Sequence, residues 1–400
     1  MVRFICRKVV PLHRISKHSI NILKFTTMKI LSYDTQNPVE TKRSFQEEWA
    51  PHARQCDRSF EWWYITGNLH DAQGNPYFLY IGMIDHNGAI MQKRMIGQVL
   101  PDEMRSVALT ATLSDYNNEK IISPAGAAIL PAVAMFDDEK NNLLLDGQTP
   151  EGKPYNIHWD YVGDRMHITV DCPQLMFDLY LSNCNDGVWH KDSLGYEGMI
   201  QQGGEDEFSF YYSLVNCPMT GKVYLKDEKG NVTREFEVFG RSWVDRQWGD
   251  FINNYWEWSS FRFDNGATMH LYNFWSGHQE GFYRDSKGNI QYFDNVVIKQ
   301  NGYCKAPLAK TWNSWGWSYE FPIEIEGSKH FTVKPYSNEE FLQFPGMRVE
   351  FQGQVFDGFA IYEGLGKLID DESGKVVGAS VNESIDIRAM QNYPYGPRQR

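Results

Sequence analysis

The sequence predicts an almost all-β protein built from two related β-barrel or sandwich domains. Three observations lead to this fold class. Aromatic residues make up 15% of the 400 residues, and their broad rings pack well on pleated strands. Short apolar or alternating runs are separated by Gly, Asn and Asp turns, which is typical of all-β chains. One aromatic-rich hairpin pattern also occurs twice, which indicates a duplicated domain.

The turns are the clearest local signals. Four segments supply Gly or Asn where a tight turn needs a positive φ, and each lies between alternating strands. They are residues 70–75, 227–231, 264–266 and 285–289. Long helical periodicity is hard to find, and helical turns are expected only near residues 39–49 and 338–342.

The repeat sets the domain boundaries. Residues 61–69 lead through a turn into 78–82, and residues 256–263 lead through a turn into 269–273. Each copy is an aromatic-rich strand, an Asp/Gly turn and a returning strand that contains Leu-Tyr. We therefore place one domain at 40–240 and another at 250–400, with 240–249 as the crossing. The alternative is that any two Trp-rich hairpins look alike.

The distribution of charge restricts the possible binding partners and distinguishes the N-terminal segment from the rest of the chain. A net charge of −12 argues against non-specific nucleic-acid binding. Residues 1–33 carry seven Lys or Arg and no acid, so we expect a basic, disordered extension. It resembles a transit peptide, but we prefer an extension upstream of a start at Met28. The basic segment lacks the apolar core of a secretory signal.

Cysteines and apolar runs indicate the compartment. The longest apolar stretch, 125–136, contains Pro131 and is too short to span a bilayer. The six cysteines are scattered without a CxxC pair, so they read as reduced thiols of a cytoplasmic protein. We expect no integral membrane segment, and the oligomeric state stays open.

No nucleotide or metal motif is present. GxGxxG, Walker A, HExxH and G-x-S-x-G patterns are missing from the sequence, and no two histidines have helical ligand spacing beside a carboxylate. We therefore expect neither a metal nor an organic cofactor. The Asp85-His86 pair is followed by Asn87-Gly88, which marks a turn.

The first motif that could carry chemistry is Phe60-Glu61-Trp62-Trp63-Tyr64. Neighbouring strand side chains point to opposite faces, so Glu61 and Trp63 share one face while Trp62 and Tyr64 share the other. A carboxylate in a mostly buried strand needs a partner. Glu61 either lines a pocket or pairs structurally with an arginine, and the structural pairing is the favoured interpretation.

The second motif is Gly240-Arg241-Ser242-Trp243-Val244-Asp245-Arg246-Gln247-Trp248-Gly249. Trp243 and Asp245 would share a strand face. A carboxylic acid held against indole in a poorly hydrated pocket has a raised pKa and can serve as a general acid toward an alkene. The competing interpretation is a structural pair of Asp245 with Arg241 or Arg246.

A wider aromatic and polar set accompanies these motifs, and aromatic faces can stabilise a carbocation. Its members can equally be core or barrel lining. The set comprises Tyr211, Tyr212, Trp256, Trp258, His270, Tyr272 and Asn273.

With both motifs the sequence resembles the lipocalin-like hydroxyneurosporene synthase, or AttH-like, family. This family includes carotenoid 1,2-hydratases, kievitone hydratase and Diels–Alderase-type cyclases. The resemblance covers about residues 55–390, with Tyr362-Glu363-Gly364 and Gly378…Glu383 as further matches. It implies two lipocalin-like domains related by pseudo-symmetry, no cofactor, and Asp245 as the acid. The hydratases carry a His and a Trp on the preceding strand, where this chain has Phe210-Tyr211-Tyr212-Ser213-Leu214, which weakens the case for carotenoid hydration.

The expected function is hydration, isomerisation or cyclisation of a carbon–carbon double bond in an apolar terpenoid, polyene or polyketide-derived substrate. Asp245 is the expected acid, with Tyr211, Tyr212 and His270 as secondary catalytic candidates. The substrate-binding candidates are Glu61, Trp62, Tyr64, Trp243, Trp248, Trp256, Trp258, Tyr272 and Asn273. The alternatives are a non-catalytic carrier of an apolar metabolite and a structural lipocalin-like protein.

Overall fold

The computed structural model describes residues 30–35, 40–41, 43–131, 134–148, 152–251, 255–274, 276–351 and 354–385. Nearly all of the basic extension and part of the expected helical segment 39–49 lie outside these residues. In the described part the chain is almost entirely antiparallel β-structure, arranged in two large sheets. The predicted all-β fold class is confirmed.

The first sheet contains every strand up to residue 250. Its fourteen strands are β1 (Ser59–His70), β2 (Pro76–Asp85), β3 (Met104–Asp115), β4 (Lys120–Ile122), β5 (Ala125–Pro131), β6 (Phe136–Asp137), β7 (Asn142–Gln148), β8 (Pro154–Val162), β9 (Arg165–Asp171), β10 (Leu175–Leu181), β11 (Gly187–Trp189), β12 (Met199–Gln201), β13 (Phe208–Lys226) and β14 (Val232–Asp250).

The second sheet contains the strands that follow. Its ten strands are β15 (Trp256–Phe263), β16 (Thr268–Phe274), β17 (Gln279–Arg284), β18 (Ile290–Phe293), β19 (Val297–Lys305), β20 (Trp312–Ile325), β21 (Ser328–Pro335), β22 (Phe341–Phe351), β23 (Gln354–Asp370) and β24 (Lys375–Ser384).

The two sheets share one strand order. The first runs β3-β2-β1-β14-β13-β10-β9-β8 through its middle, and the second runs β17-β16-β15-β24-β23-β21-β20-β19. In both, the opening strand lies between its hairpin partner and the last strand of the same sheet. The repeated hairpin of the sequence therefore occupies the same place in both sheets, as a duplication requires.

All four predicted turns are present, and three share one mechanism. Asp71 Oδ1 accepts hydrogen bonds from the backbone N–H groups of Gln73 and Asn75, both at 2.9 Å. Gly74 between them has a φ of 82°, a conformation that favours glycine. Asp227 and Asp285 repeat this arrangement, so the side-chain carboxylate closes each turn locally.

Helices are few in the described residues, and two expectations need correction. A 3-10 helix spans Glu47–Trp49, within the expected helical segment. An unexpected α-helix, α1 (Ala89–Ile96), follows Gly88 and ends at Gly97 in the left-handed conformation. Residues 338–342 form no helix, because β22 begins at Phe341 and pairs with β23.

The supposed domain crossing at 240–249 also needs correction. This segment lies inside β14, paired to β1 on one side and β13 on the other. Both arginines of this segment have a partner. Arg241 donates to Asn216 Oδ1 at 2.8 Å, and Arg246 contacts Glu61. The change of sheet falls after Asp250, while the division into domains stays a prediction.

Three apolar clusters form the core. One belongs to the first sheet and includes Trp49, Trp63 and Trp159. Another belongs to the second sheet and includes Phe261 and Trp317. The third combines side chains from both sheets, and it holds much of the wider aromatic set. This shared cluster surrounds the cavity described below.

No helix in the described ranges is long and apolar enough to cross a membrane. The five cysteines that the structure describes, Cys56, Cys172, Cys184, Cys217 and Cys304, are free thiols.

Candidate active site

A cavity of about 990 Å³ lies between the two sheets. This volume is at the upper end of the ordinary range for small-molecule pockets. The first sheet contributes Trp62, Tyr64, Tyr80, Tyr211 and Asp245 to the wall. The second contributes Trp256, Trp258, Tyr272, Glu363 and Glu383. The wall is rich in aromatic side chains and has carboxyl groups on both sides.

Asp245 is the most extensively hydrogen-bonded acid of the first sheet's wall. Its Oδ1 accepts from Ser213 Oγ at 2.5 Å and from Trp243 Nε1 at 2.6 Å. Its Oδ2 accepts from Tyr211 Oη at 2.8 Å. The sequence prediction that Trp243 and Asp245 share a face is confirmed. Neither Arg241 nor Arg246 pairs with Asp245, since each has another partner.

Burial governs the ionisation of Asp245. Desolvation raises its pKa to about 6, although the hydrogen bonds from Ser213, Tyr211 and Trp243 favour the anion. A buried acid with a pKa near neutrality can give up a proton, and its donors then stabilise the carboxylate that remains.

A histidine behind Ser213 extends this network. His190, just after β11, has Nε2 2.7 Å from Ser213 Oγ and Nδ1 2.9 Å from Glu280 Oε1. Its ring stacks on Tyr211 at 3.5 Å between centroids. Burial lowers the pKa of His190 to about 4. His190 and Ser213 were missed by the sequence reasoning, because His190 reaches Asp245 only through the fold.

The same histidine belongs to a set that could hold a metal ion. His190, His270 and Glu280 are fully buried, and one ligand atom from each lies within 4.8 Å of the others. His270 Nε2 is 3.2 Å from Glu280 Oε2. Although burial alone raises the pKa of Glu280, the two imidazoles hold it at about 2. A carboxylate between two histidines is also a stable hydrogen-bonded arrangement without a metal.

A pair of glutamates lies on the second sheet's wall. Glu363 of β23 and Glu383 of β24 are direct cross-strand neighbours. Tyr64 Oη donates to Glu363 Oε1 at 2.5 Å, and Trp256 Nε1 donates to Glu383 Oε1 at 3.1 Å. The sequence comparison matched both glutamates to the family but did not place them in the site, because strand pairing is invisible in one sequence.

Helix α1 contributes another stretch of the wall. Met91, Lys93, Arg94 and Met95 line the cavity, and Lys93 and Arg94 are exposed. The segment 91–95 is rich in strong helix formers, a signal that was overlooked because Asn87-Gly88 was taken as a turn.

Glu61 faces away from the cavity, in a buried ionic network. It contacts Arg246 Nη2 at 2.5 Å and His52 Nδ1 at 3.1 Å. Burial alone raises its pKa, but the charges of Arg246 and His52 bring it to about 2. The structural interpretation of Glu61 fits this geometry, which corrects its place among substrate-binding candidates.

Three other candidates also lie outside the cavity wall, because successive side chains of a strand point to opposite faces of the sheet. Tyr212 and Trp248 follow Tyr211 and Gln247 and so point to the opposite face, into the first sheet's core. Asn273 follows Tyr272 and donates to Glu257 Oε2 at 2.9 Å.

Trp243 and His270 lie behind the wall rather than on it, since neither borders the cavity. Trp243 contacts the cavity acid directly, whereas His270 contacts Glu280. The remaining candidates line the cavity: Trp62, Tyr64, Tyr211, Asp245, Trp256, Trp258 and Tyr272. Their roles in binding or catalysis stay predictions.

The fold and site define a two-sheet β-protein with an aromatic cavity that carries buried carboxyl groups. Residues 38–375 match the AttH-like family. The chain therefore belongs to the AttH-like family, as its motifs predicted. No curated protein sequence matches the chain.

Two solved structures share the fold. The crystal structure of a putative AttH protein from Nitrosomonas europaea aligns with a TM-score of 0.62 at 18% identity, covering 87% of this chain and 98% of that one. Kievitone hydratase from Nectria haematococca aligns with a TM-score of 0.54 at 11% identity, covering 82% and 89%. These alignments confirm the predicted lipocalin-like, almost all-β fold class, while the division into two domains stays a prediction.

Proposed function

We propose that this protein is a hydratase-type enzyme that protonates a carbon–carbon double bond of an apolar substrate, with Asp245 as the general acid. One observation carries the proposal: the carboxyl group of Asp245, buried among three hydrogen-bond donors, faces a large cavity rich in aromatic side chains. The likeness in fold to a hydratase supports the same reaction class.

The position of Asp245 suits acid catalysis of alkene chemistry. Protonation of a carbon needs an acid that is protonated when the substrate binds, and burial raises the pKa of Asp245 to about 6, so far more of it is protonated near neutral pH than of an exposed aspartate. Once the proton leaves, Ser213, Trp243 and Tyr211 all donate to the new carboxylate. The conjugate base is thus stabilised only as charge develops, which favours the transition state.

The aromatic wall suits the cation that protonation creates. Tyr64 and Trp258 lie edge to face, with ring centroids 5.5 Å apart, and both border the cavity. Aromatic faces attract positive charge by up to about 2 kcal/mol in desolvated sites. Capture of the cation by water completes a hydration. Loss of a proton gives isomerisation, and attack by a second double bond gives cyclisation.

The test compares wild type with Asp245→Asn on kievitone, geraniol and farnesol as probe alkenes. Products are identified by mass spectrometry as the substrate plus one water or as an isomer. We expect Asp245→Asn to slow turnover by about 10²–10⁴-fold while substrate affinity stays close to wild type.

Asp250→Asn is the matched control, because Asp250 is also a buried acid of β14 but binds Tyr33 and Thr35 away from the cavity. It should leave turnover unchanged. Equal turnover of wild type and Asp245→Asn would refute the proposal.

A non-catalytic carrier of an apolar metabolite is the second candidate function. The volume and aromatic wall of the cavity favour it, because both also suit simple binding of a planar apolar molecule. A compound that binds tightly and is recovered unchanged from the wild-type protein would support the carrier.

A further inference from the structure

We propose that Glu363 and Glu383 form a second acid–base centre, which takes up the proton released when water adds to the cation that Asp245 creates. The inference rests on the proposed function, since it concerns the other half of the same reaction. It adds catalytic groups from the second sheet to a site that Asp245 alone would place on the first.

The two centres lie on corresponding strands of the two sheets. In the first sheet, Asp245 of β14 lies opposite Tyr64 of β1 and Ser213 of β13. In the second sheet, Glu383 of β24 lies opposite Trp258 of β15 and Glu363 of β23. Because both sheets have the same strand order, β24 occupies the place of β14, so Glu383 and Asp245 lie on equivalent strands.

Glu363 accordingly lies on β23, the equivalent of β13 that carries Ser213, and Trp258 lies on β15, the equivalent of β1 that carries Tyr64. Each sheet therefore carries a buried acid of the cavity wall on this equivalent strand. Where the first sheet gives its acid a hydroxyl donor, the second sheet gives its acid another carboxyl group.

The two centres contact each other's sheets reciprocally. Tyr64 of the first sheet donates to Glu363 of the second at 2.5 Å. Trp258 of the second donates at 3.0 Å to Tyr211, the residue that donates to Asp245. Both centres border the same cavity, so one substrate can lie between them.

The surroundings of the pair favour a shared proton. Directly opposed strand residues have Cβ atoms about 5 Å apart, so two buried carboxylates there would repel strongly. The ionisable groups that act most strongly on the pair are acids or phenols, namely Tyr64, Tyr80, Asp245, Tyr272 and Glu340, while the exposed Lys93 and Arg94 of α1 border the same cavity.

Repulsion between the two buried carboxylates favours a proton on the pair. Burial raises the pKa of Glu383 to about 8, and burial with the charge of Glu383 raises the pKa of Glu363 as well. The pair therefore keeps at least one proton near neutral pH, and its form with one proton and one negative charge, which is the form that can accept a proton, increases as the pH rises toward about 8.

The steps balance without an oxidant or reductant. Asp245 gives its proton to one alkene carbon, so that a C–H bond forms and the π bond breaks. Water then forms a C–O bond at the cationic carbon, and the proton it loses passes to the free carboxylate of the pair. The net change is addition of water, after which solvent reprotonates Asp245 and removes one proton from the pair.

Incubation in D₂O separates this role from that of Asp245. The probes are kievitone, geraniol and farnesol, and the variants are Glu363→Gln, Glu383→Gln and Asp245→Asn. We expect each glutamine variant to slow water addition by about 10²-fold or more. The unreacted alkene should nevertheless carry deuterium, because Asp245 still delivers a deuteron to the alkene and can then remove a proton, rather than that deuteron, from the cation. Asp245→Asn should show neither water addition nor deuterium exchange.

Glu257→Gln is the matched control, since Glu257 is a buried glutamate of β15 that binds Ser314 and Trp317 rather than bordering the cavity. It should hydrate like wild type. If both glutamine variants at 363 and 383 also hydrate like wild type while Asp245→Asn is inactive, the second centre is refuted and the proposed function stands. If Asp245→Asn retains wild-type activity, the proposed function itself fails.

A titration tests the shared proton without a substrate. Protein labelled with ¹³C at glutamate carboxyl carbons is followed by NMR against pH, in wild type and in Glu383→Gln. The charge of Glu383 raises the pKa of Glu363, so the substitution should lower that pKa. If the pKa of Glu363 were the same in wild type and in Glu383→Gln, the proposal of a shared proton would be overturned. Glu363→Gln gives the reciprocal measurement on Glu383, should one variant fail to fold.

Discussion

Tyr64 of the first sheet donates a 2.5 Å hydrogen bond to Glu363 of the second, and both side chains are buried. Tyr64→Phe should lower the free energy of unfolding by about 1–3 kcal/mol, because Glu363 loses its donor without access to water. Urea denaturation measures the change. The hydrogen bond from Tyr64 also lowers the pKa of Glu363, so the variant should raise that pKa further.

Tyr283→Phe is the control for this substitution. Tyr283 donates to Glu326 on the exposed side of the second sheet, where water can replace the lost partner. Its effect should stay below about 1 kcal/mol. Equal effects of the two substitutions would contradict a special contribution from the contact between the sheets.

The dependence of activity on pH should follow Asp245. The acid is active when protonated, so kcat/KM for a converted probe alkene should fall as the pH rises through about 6. Ser213→Ala removes a hydrogen bond that lowers the pKa of Asp245. The fall should therefore move to higher pH in this variant.

A pH–rate profile of each variant checks the shift. Ser242→Ala is the control, since the Ser242 hydroxyl is equally buried on β14 but donates to the Cys217 carbonyl at 3.0 Å. If the fall in kcat/KM moved to the same extent in both variants, the group that causes it would not be Asp245.

Stability should decline between pH 6.5 and 8. Burial raises the pKa of Glu340 and Glu383 to about 8, so the folded protein keeps protons that the unfolded chain releases. This contribution is complete below the unfolded pKa of 4.5 and is lost as the pH rises through about 8. Stability also depends on His86 and His190, whose pKa values burial lowers to about 4. That dependence lies below their unfolded pKa of 6.5.

The slope should be about 1.4 kcal/mol per pH unit for each proton released. Urea denaturation at several pH values measures it, and Glu340→Gln should flatten the decline because it removes one titrating group. A free energy of unfolding that rises across this window would contradict the assignment.

The sequence predicted the local features of the fold better than the long-range ones. The Asp-closed turns follow from residues four apart, and the alternation of Trp62 and Tyr64 with Glu61 follows from strand geometry alone. Asp245 was found because its motif places an indole on the same face.

The sequence did not identify Glu363, Glu383 and His190 as site residues, and the reason is physical. Each reaches the site through pairing between strands distant in sequence or through packing between sheets, and one sequence does not specify either. Tyr212 and Trp248 were misplaced because composition alone does not say which face of a strand meets the cavity. Applying alternation from Asp245 outward would have assigned Trp248 to the opposite face.

The buried pair of Arg246 and Glu61 should matter for folding rather than for chemistry. Arg246 is fully buried, lies 3.9 Å over the Trp63 ring and donates to the carbonyl of Ala50 at 2.9 Å. Arg246→Met leaves the Glu61 charge unpaired inside the protein, so we expect a loss of about 3–5 kcal/mol in the free energy of unfolding.

The exposed pair of Lys222 and Glu235 provides the comparison, since its side chains are 44% and 47% exposed. Lys222→Met should cost less than about 1 kcal/mol, as measured by the same urea denaturation. Glu61→Gln should likewise destabilise the fold, because it removes the charge that Arg246 requires. Its KM for a converted probe should nevertheless match wild type in the folded fraction, because Glu61 faces away from the cavity. A changed KM with unchanged stability would instead return Glu61 to the substrate-binding site.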